Sequence, residues 1–125
     1  MKTGTLVVSK SRMPSAHQPW SHEVYVGKII EPGDDPADWN GHNSERHYCE
    51  LMGYAKVQYG WGAAHDSWKD LIEITQEQAE LTPIEKVFVF IGEEAAETWI
   101  RHSSGEAEKC RALLARHRKL EEPNV

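Results

Sequence analysis

Four side chains able to ligate a metal, His42, His47, Cys49 and His65, fall within 24 positions. Zinc needs three or four such ligands converging at about 2.0–2.3 Å. A helix expected over residues 44–52 sets His47 and Cys49 about 200° apart, on opposite sides. The set contains no i, i+3 or i, i+4 pair, the spacing that two helical ligands need. The reading is surface or hydrogen-bonded histidines, with no metal and no cofactor. A small hydrolase acting on a nucleotide or phosphoester through His42, His47 and His65, with a weakly held divalent metal, is the alternative.

Other chemistry fails on spacing. The acidic loop Asp34, Asp35, Asp38, Asn40 resembles a calcium loop only in composition, because placing Gly41 at the turn position puts Pro36 where the first ligand belongs. Cys110 and His117 share a helix face but lie two turns apart, about 10 Å, too far to exchange a proton. Neither GxGxxG nor GxxxxGK[ST] occurs, and Glu93 and Glu94 would repel a phosphate from the start of any helix after Gly92. The bases of the last helix, Lys109, Arg111, Arg116, Arg118 and Lys119, are diluted by Glu106, Glu108, Glu121 and Glu122. No aromatic residue interleaves them, which disfavours nucleic acid as a partner.

The elements that must position these residues are legible in part. Thr3–Ser9 is β-prone. Glu23–Glu31 reads as a strand, apolar on both faces and ended by Pro32-Gly33. Residues 44–52 read as a helix closed by Gly53, with Leu51 and Met52 inward. Tyr54–Trp61 alternates as a half-buried strand with Val57, Tyr59 and Trp61 on one face. Asp66–Thr75 fits helix or strand. Residues 85–91 look like a strand by composition, yet Thr82-Pro83-Ile84-Glu85 is a capping box with proline at the first helical position. One helix from about 83 to 102 is therefore predicted, carrying Ile84, Val87, Phe88, Ile91, Ala95 and Trp99 on one face. Ser103 and Glu106 offer a second capping box. A last helix to about Leu120 follows, with Cys110, Leu113, Leu114 and His117 on its apolar face.

The chain has 125 residues, 39% hydrophobic and 27% charged, with five Trp. That bounds it to about one domain with a real core. The fold class expected is α+β: an N-terminal antiparallel sheet of three or four strands, packed by a C-terminal helical hairpin. Residues 1–120 form one domain in this reading, and 121–125 a frayed tail. The longest apolar run, Val87–Ile91, is far short of the roughly 20 residues of a membrane span, so no membrane partner is expected. Two isolated cysteines and no signal peptide point to the cytoplasm.

The net charge of −6 is uneven, with fifteen acids against four bases over residues 31–97. Opposed charge speeds association and sharpens partner choice, while buried aromatic anchors supply affinity. The function expected is a small acidic protein-binding protein, of inhibitor or immunity type. It would engage a basic protein through Asp34, Asp35, Asp38, Trp39 and Trp61, with no catalytic residue assigned.

Overall fold

The computed structural model describes residues 1–102 and 107–121, the latter stretch with side chains at 108–117. The expected second capping box at Ser103–Glu106 lies outside the described residues, as does the tail beyond Glu121. The packing divides into two compact units: Met1–Arg12 with Tyr25–Ala79, and Met13–Val24 with the region from Glu80 onward.

The first unit is built on an antiparallel sheet of five strands, not three or four. They are β1 (Leu6–Ser9), β2 (Gly27–Ile30), β3 (Tyr54–Tyr59), β4 (Gly62–Ser67) and β5 (Leu71–Glu73), in the order β4-β3-β2-β1-β5. The first four form a meander, and β5 returns to the far side of β1, pairing Val8 with Ile72. Helix α1 (Glu45–Met52) interrupts the meander between β2 and β3.

Two of these strands sit where composition gave weak signals. β4 reads Gly-Ala-Ala-His-Asp-Ser, low in the β-branched residues that mark strands. It is recruited by pairing with β3 through the tight turn Gly60-Trp61, which sets Tyr59 opposite Gly62 and Val57 opposite Ala64. β5 resolves the ambiguous stretch 66–75: a short 3-10 turn over Trp68–Asp70 precedes it, and the four-residue helix α2 (Gln76–Ala79) follows.

Alternation on β3 holds as expected, with Ala55, Val57 and Tyr59 buried and Gln58 exposed. Those three join Val7, Ile29 and Leu71 in one core cluster. Trp61 leaves that face because the strand ends at Tyr59, and its side chain is 52% exposed. β2 is covered on one face rather than two, since Ile29 is buried and Lys28 is exposed. Gly27 is the tightest point: a Cβ there would lie 2.4 Å from Val57 Cγ1 and 2.8 Å from the Tyr59 ring. Only a glycine lets the Tyr59 ring pass so close to β2.

Among the described residues the second unit contains three helices where two were expected: α3 (Pro83–Phe90), α4 (Glu93–His102) and α5 (Ala107–Glu121). The capping box forms, Thr82 accepting from the Glu85 N–H while Glu85 accepts from the Thr82 N–H. Residues 85–90 are thus helical despite their β-rich composition. The single helix expected over 83–102 is broken at Gly92, whose φ of +136° no helix contains. The break shifts the buried face of α4 to Ala95, Ala96 and Ile100, leaving Ile91 and Trp99 half-buried. On α5, Cys110 and Leu114 are buried as the periodicity implied. Among the described residues no helix is long and apolar enough to cross a membrane.

Two substitutions test these constraints. Gly27→Ala should destabilise the protein by about 2 kcal/mol through overpacking. A thermal midpoint equal to wild type would mean that Tyr59 does not cross β2 this closely. Thr82→Ala should cost about 1 kcal/mol through loss of the cap, measured by urea unfolding.

Candidate functional site

Helix α1 is set by its ends. The Ser44 side chain accepts from the His47 N–H at 3.1 Å, and Gly53, at φ +72°, closes the last turn. The expected inward pair, Leu51 and Met52, is instead exposed at 74% and 49%. Glu45 and Cys49 take the buried side. What draws the helix round is the Glu45 carboxylate.

That carboxylate gathers three donors from three separate segments. It accepts from the Gly33 N–H at 2.8 Å, from Lys56 Nζ at 2.8 Å and, through its other oxygen, pairs with His65 Nε2 at 2.8 Å. Burial pushes its pKa up, but these bonds more than offset that and hold it down at about 2. Burial and the same carboxylate push the neighbouring Cys49 thiol up, so that it is no thiolate nucleophile at neutral pH.

Around His65 lies a chain of aromatic rings. Trp39 meets the His65 ring edge-on at 5.2 Å and Tyr48 at 5.5 Å, and Tyr48 meets Tyr54 at 5.9 Å. Trp68 adjoins the end of α1, its N–H donating to the Gly53 carbonyl at 3.1 Å. Trp39 and Trp68 are each 40% exposed, so with Leu51 and Met52 they leave apolar surface open around α1. A cleft of about 570 Å³ opens beside it, lined by Ile29, Cys49 and Ala55 and by charges of both signs, Lys2, Arg46 and Lys56 with Glu31 and Glu50. Its size falls in the range of roughly 300–1,000 Å³ usual for binding pockets.

The acidic loop is partly neutralised. Arg46 donates to Asp34 and, at 2.7 Å, to Glu31. Asp35 accepts from the Ala37 N–H at 2.9 Å and caps a short 3-10 turn. Asp38 is exposed, next to Trp39. Of the histidines weighed for a metal, His42 and His47 are exposed, whereas His65 is held by Glu45. Among the described residues, no three His, Cys, Asp or Glu side chains are grouped to hold a metal ion. A carboxylate-oriented histidine resembles the base half of a catalytic triad, but no described hydrogen bond joins His65 to a serine, threonine or cysteine.

Trp61 belongs to a different cluster. Its ring stacks on Tyr59 at 5.0 Å, with planes 7° apart, and Tyr25 meets it edge-on at 6.1 Å. The Arg12 guanidinium sits 5.3 Å from the Trp61 ring centre and 5.5 Å from that of Tyr59. Beneath them Asp66, 4% exposed, accepts from Arg12 Nε at 2.8 Å and from the Tyr59 hydroxyl at 2.5 Å. Burial, then the bond to Asp66, pushes the Tyr59 phenol well above its usual range. Sequence reasoning missed Arg12 and Asp66, which lie 54 positions apart and carry no local signature.

In the second unit, Glu85 extends its capping role by pairing with His117 on α5. Burial pushes its pKa up, yet His117 and Thr82 hold it below the ordinary value. His117 thus has a hydrogen-bond partner although it lies on the apolar face of α5. No family model, no curated protein and no solved structure matches this chain.

The depressed Glu45 pKa fixes a pH dependence. The folded value lies below the unfolded one, so its stabilisation is present above about pH 4.5 and is lost as pH falls towards about 2. Glu45→Gln should lower the midpoint at neutral pH by an amount equivalent to roughly 2 kcal/mol and flatten the decline between those pH values. An unchanged acid limb would mean that other carboxylates control it.

Proposed function

We propose that this protein is a non-enzymatic binding protein whose first unit docks a basic protein partner around α1. The observation that carries this reading is where the large apolar side chains are exposed. Among the described residues they are Met1, Trp39, Leu51, Met52, Trp61 and Trp68, all in the first unit, and four of them surround α1. Single exposed hydrophobics are ordinary, but a grouped set beside a cleft is characteristic of an interaction surface. Affinity would come from Trp39, which packs on Tyr48 of α1, and Trp68, at its end, as rigid anchors, with Leu51 and Met52 of α1 adding apolar area.

Charge plays a narrower part than the composition suggests. Glu31 and Asp34 are tied to Arg46, Glu45 to Lys56 and His65, and Asp66 to Arg12. Asp35 and Asp38 are exposed beside Trp39, and Glu50 is exposed on α1. These three would favour a basic rim on the partner and raise the association rate at low salt. Trp61, at the β3–β4 turn, stands apart from this surface, stacked on Tyr59. The free thiol of Cys49 fits a reducing compartment such as the cytoplasm.

The test is affinity capture with quantitative proteomics, comparing wild type with Leu51→Ser/Trp68→Ser and with Asp35→Asn/Asp38→Asn. A basic protein should be retained by wild type and bind the first variant about 30-fold more weakly, an anchor loss of about 2 kcal/mol. The second variant should lower the association rate several-fold at low salt and little at high salt. Equal capture by wild type and the Leu51/Trp68 variant, with both folded by circular dichroism, would remove this surface from consideration.

A further inference from the structure

The Trp61 cluster has features that the α1 surface does not account for. An indole 52% exposed is held flat on Tyr59, whose own side chain is buried. Tyr59 is in turn fixed through its hydroxyl by Asp66, and Asp66 is fixed by Arg12. Gly27 gives up its side chain to let the Tyr59 ring through. A buried carboxylate, a buried phenol and a close strand crossing thus hold one exposed aromatic ring in place. A ring fixed in this way loses little entropy when a ligand stacks on it.

The polar character of the cluster is one-sided. Asp66 has a side chain 3% exposed and faces its two donors, so its charge is covered, while Arg12 is 33% exposed. Asp66 takes Nε of the guanidinium and the Tyr59 hydroxyl also draws on it, which leaves terminal N–H groups of the five that arginine carries. The indole N–H of Trp61 can only donate, and it has no acceptor among the described residues. The groups offered to a ligand are therefore an aromatic face and hydrogen-bond donors.

The charges beside the cluster share this sign. Besides Arg12, the turn after β1 carries the exposed Lys10, and the acid on β4, Asp66, is buried. Lys28 and Lys56 stand on the opposite face of the sheet, across from Gln58 and His65, and Lys56 is paired with Glu45 there.

We infer that Arg12, Tyr59 and Trp61 form a second docking site, for an extended acidic segment of a partner protein that contains proline. A prolyl ring packs flat on an aromatic face, and an extended proline-rich backbone offers carbonyls with few N–H groups. Such a ligand needs donors, which the Trp61 N–H and the terminal N–H groups of Arg12 supply, and an acidic side chain would pair with Arg12 or Lys10. A single-stranded nucleic acid shares the need for rings and positive charge. It is less suited, because among the described residues Arg12 is the base the structure sets against these rings, and a phosphate backbone calls for a run of bases. This site does not depend on the α1 surface, so either reading can fail without the other.

The experiment uses the full chain labelled with ¹⁵N and follows the indole N–H resonance of Trp61, assigned by its loss in Trp61→Phe. The probes are three capped hexapeptides, PPEPPE, PPKPPK and AAEAAE, and a dodecathymidylate. PPEPPE should shift the Trp61 resonance in a saturable way and bind at least tenfold more tightly than either other peptide. Trp61→Ala should abolish binding, and Arg12→Lys, which keeps the charge but not the guanidinium, should weaken it several-fold while the fold is retained. The proposal is overturned if PPEPPE leaves the resonance unmoved at millimolar concentration. It is also overturned if AAEAAE or PPKPPK binds equally well, if Trp61→Ala binds like wild type, or if the oligonucleotide binds more tightly than PPEPPE.

Discussion

The first unit depends on one carboxylate that does not reach water freely. Glu45 stands at the first turn of α1, and its partners come from the loop after β2, from β3 and from β4. Leaving such a group without its donors carries the full desolvation penalty, so the helix is fixed in rotation as well as in place. Two consequences follow. Leu51 and Met52 turn outward because Glu45 and Cys49 turn inward, which creates the apolar surface around α1. His65 is held among Trp39 and Tyr48, which makes that surface a chain of touching rings rather than isolated side chains.

A second buried carboxylate does the corresponding job on the sheet. Asp66 lies opposite Ala55 on β4, and the small Ala55 and Ala64 leave the face open enough for the Tyr59 hydroxyl to reach it. Arg12 then closes the network from the turn after β1. Each carboxylate serves one surface: Glu45 orients the ring chain beside α1, and Asp66 levels the Tyr59–Trp61 stack. Ion pairs tie the rest together, Lys56 of β3 to Glu45 and Arg46 of α1 to Glu31 and Asp34 of the loop after β2.

The helical unit repeats the principle on a smaller scale. Glu85 caps α3 locally and pairs with His117 across to α5, so one side chain both starts a helix and joins two. Gly92 separates α3 from α4, and the Ala96 N–H returns to the Gly92 carbonyl at 3.2 Å to begin the new helix. A continuous helix would have faced Trp99 inward; the break turns Ile100 in instead.

What the sequence determined by itself was local. Ser44 and Gly53 bracket α1, Thr82-Pro83-Ile84-Glu85 overrides a β-rich composition, and alternation from Tyr54 to Tyr59 marks a strand. In each case the interacting groups lie within one turn or one strand, so spacing alone reports the hydrogen bond or the buried face. The tertiary structure alone decided the rest. The low-propensity segment Gly62–Ser67 becomes a strand because β3 supplies its ladder, and Arg12 finds Asp66 across 54 positions. Glu45 turns inward against the helix's apolar pattern because Lys56, His65 and the Gly33 N–H wait for it on segments far along the chain. A buried charge is worth only what its partners make it worth, and those partners exist only once the chain has folded.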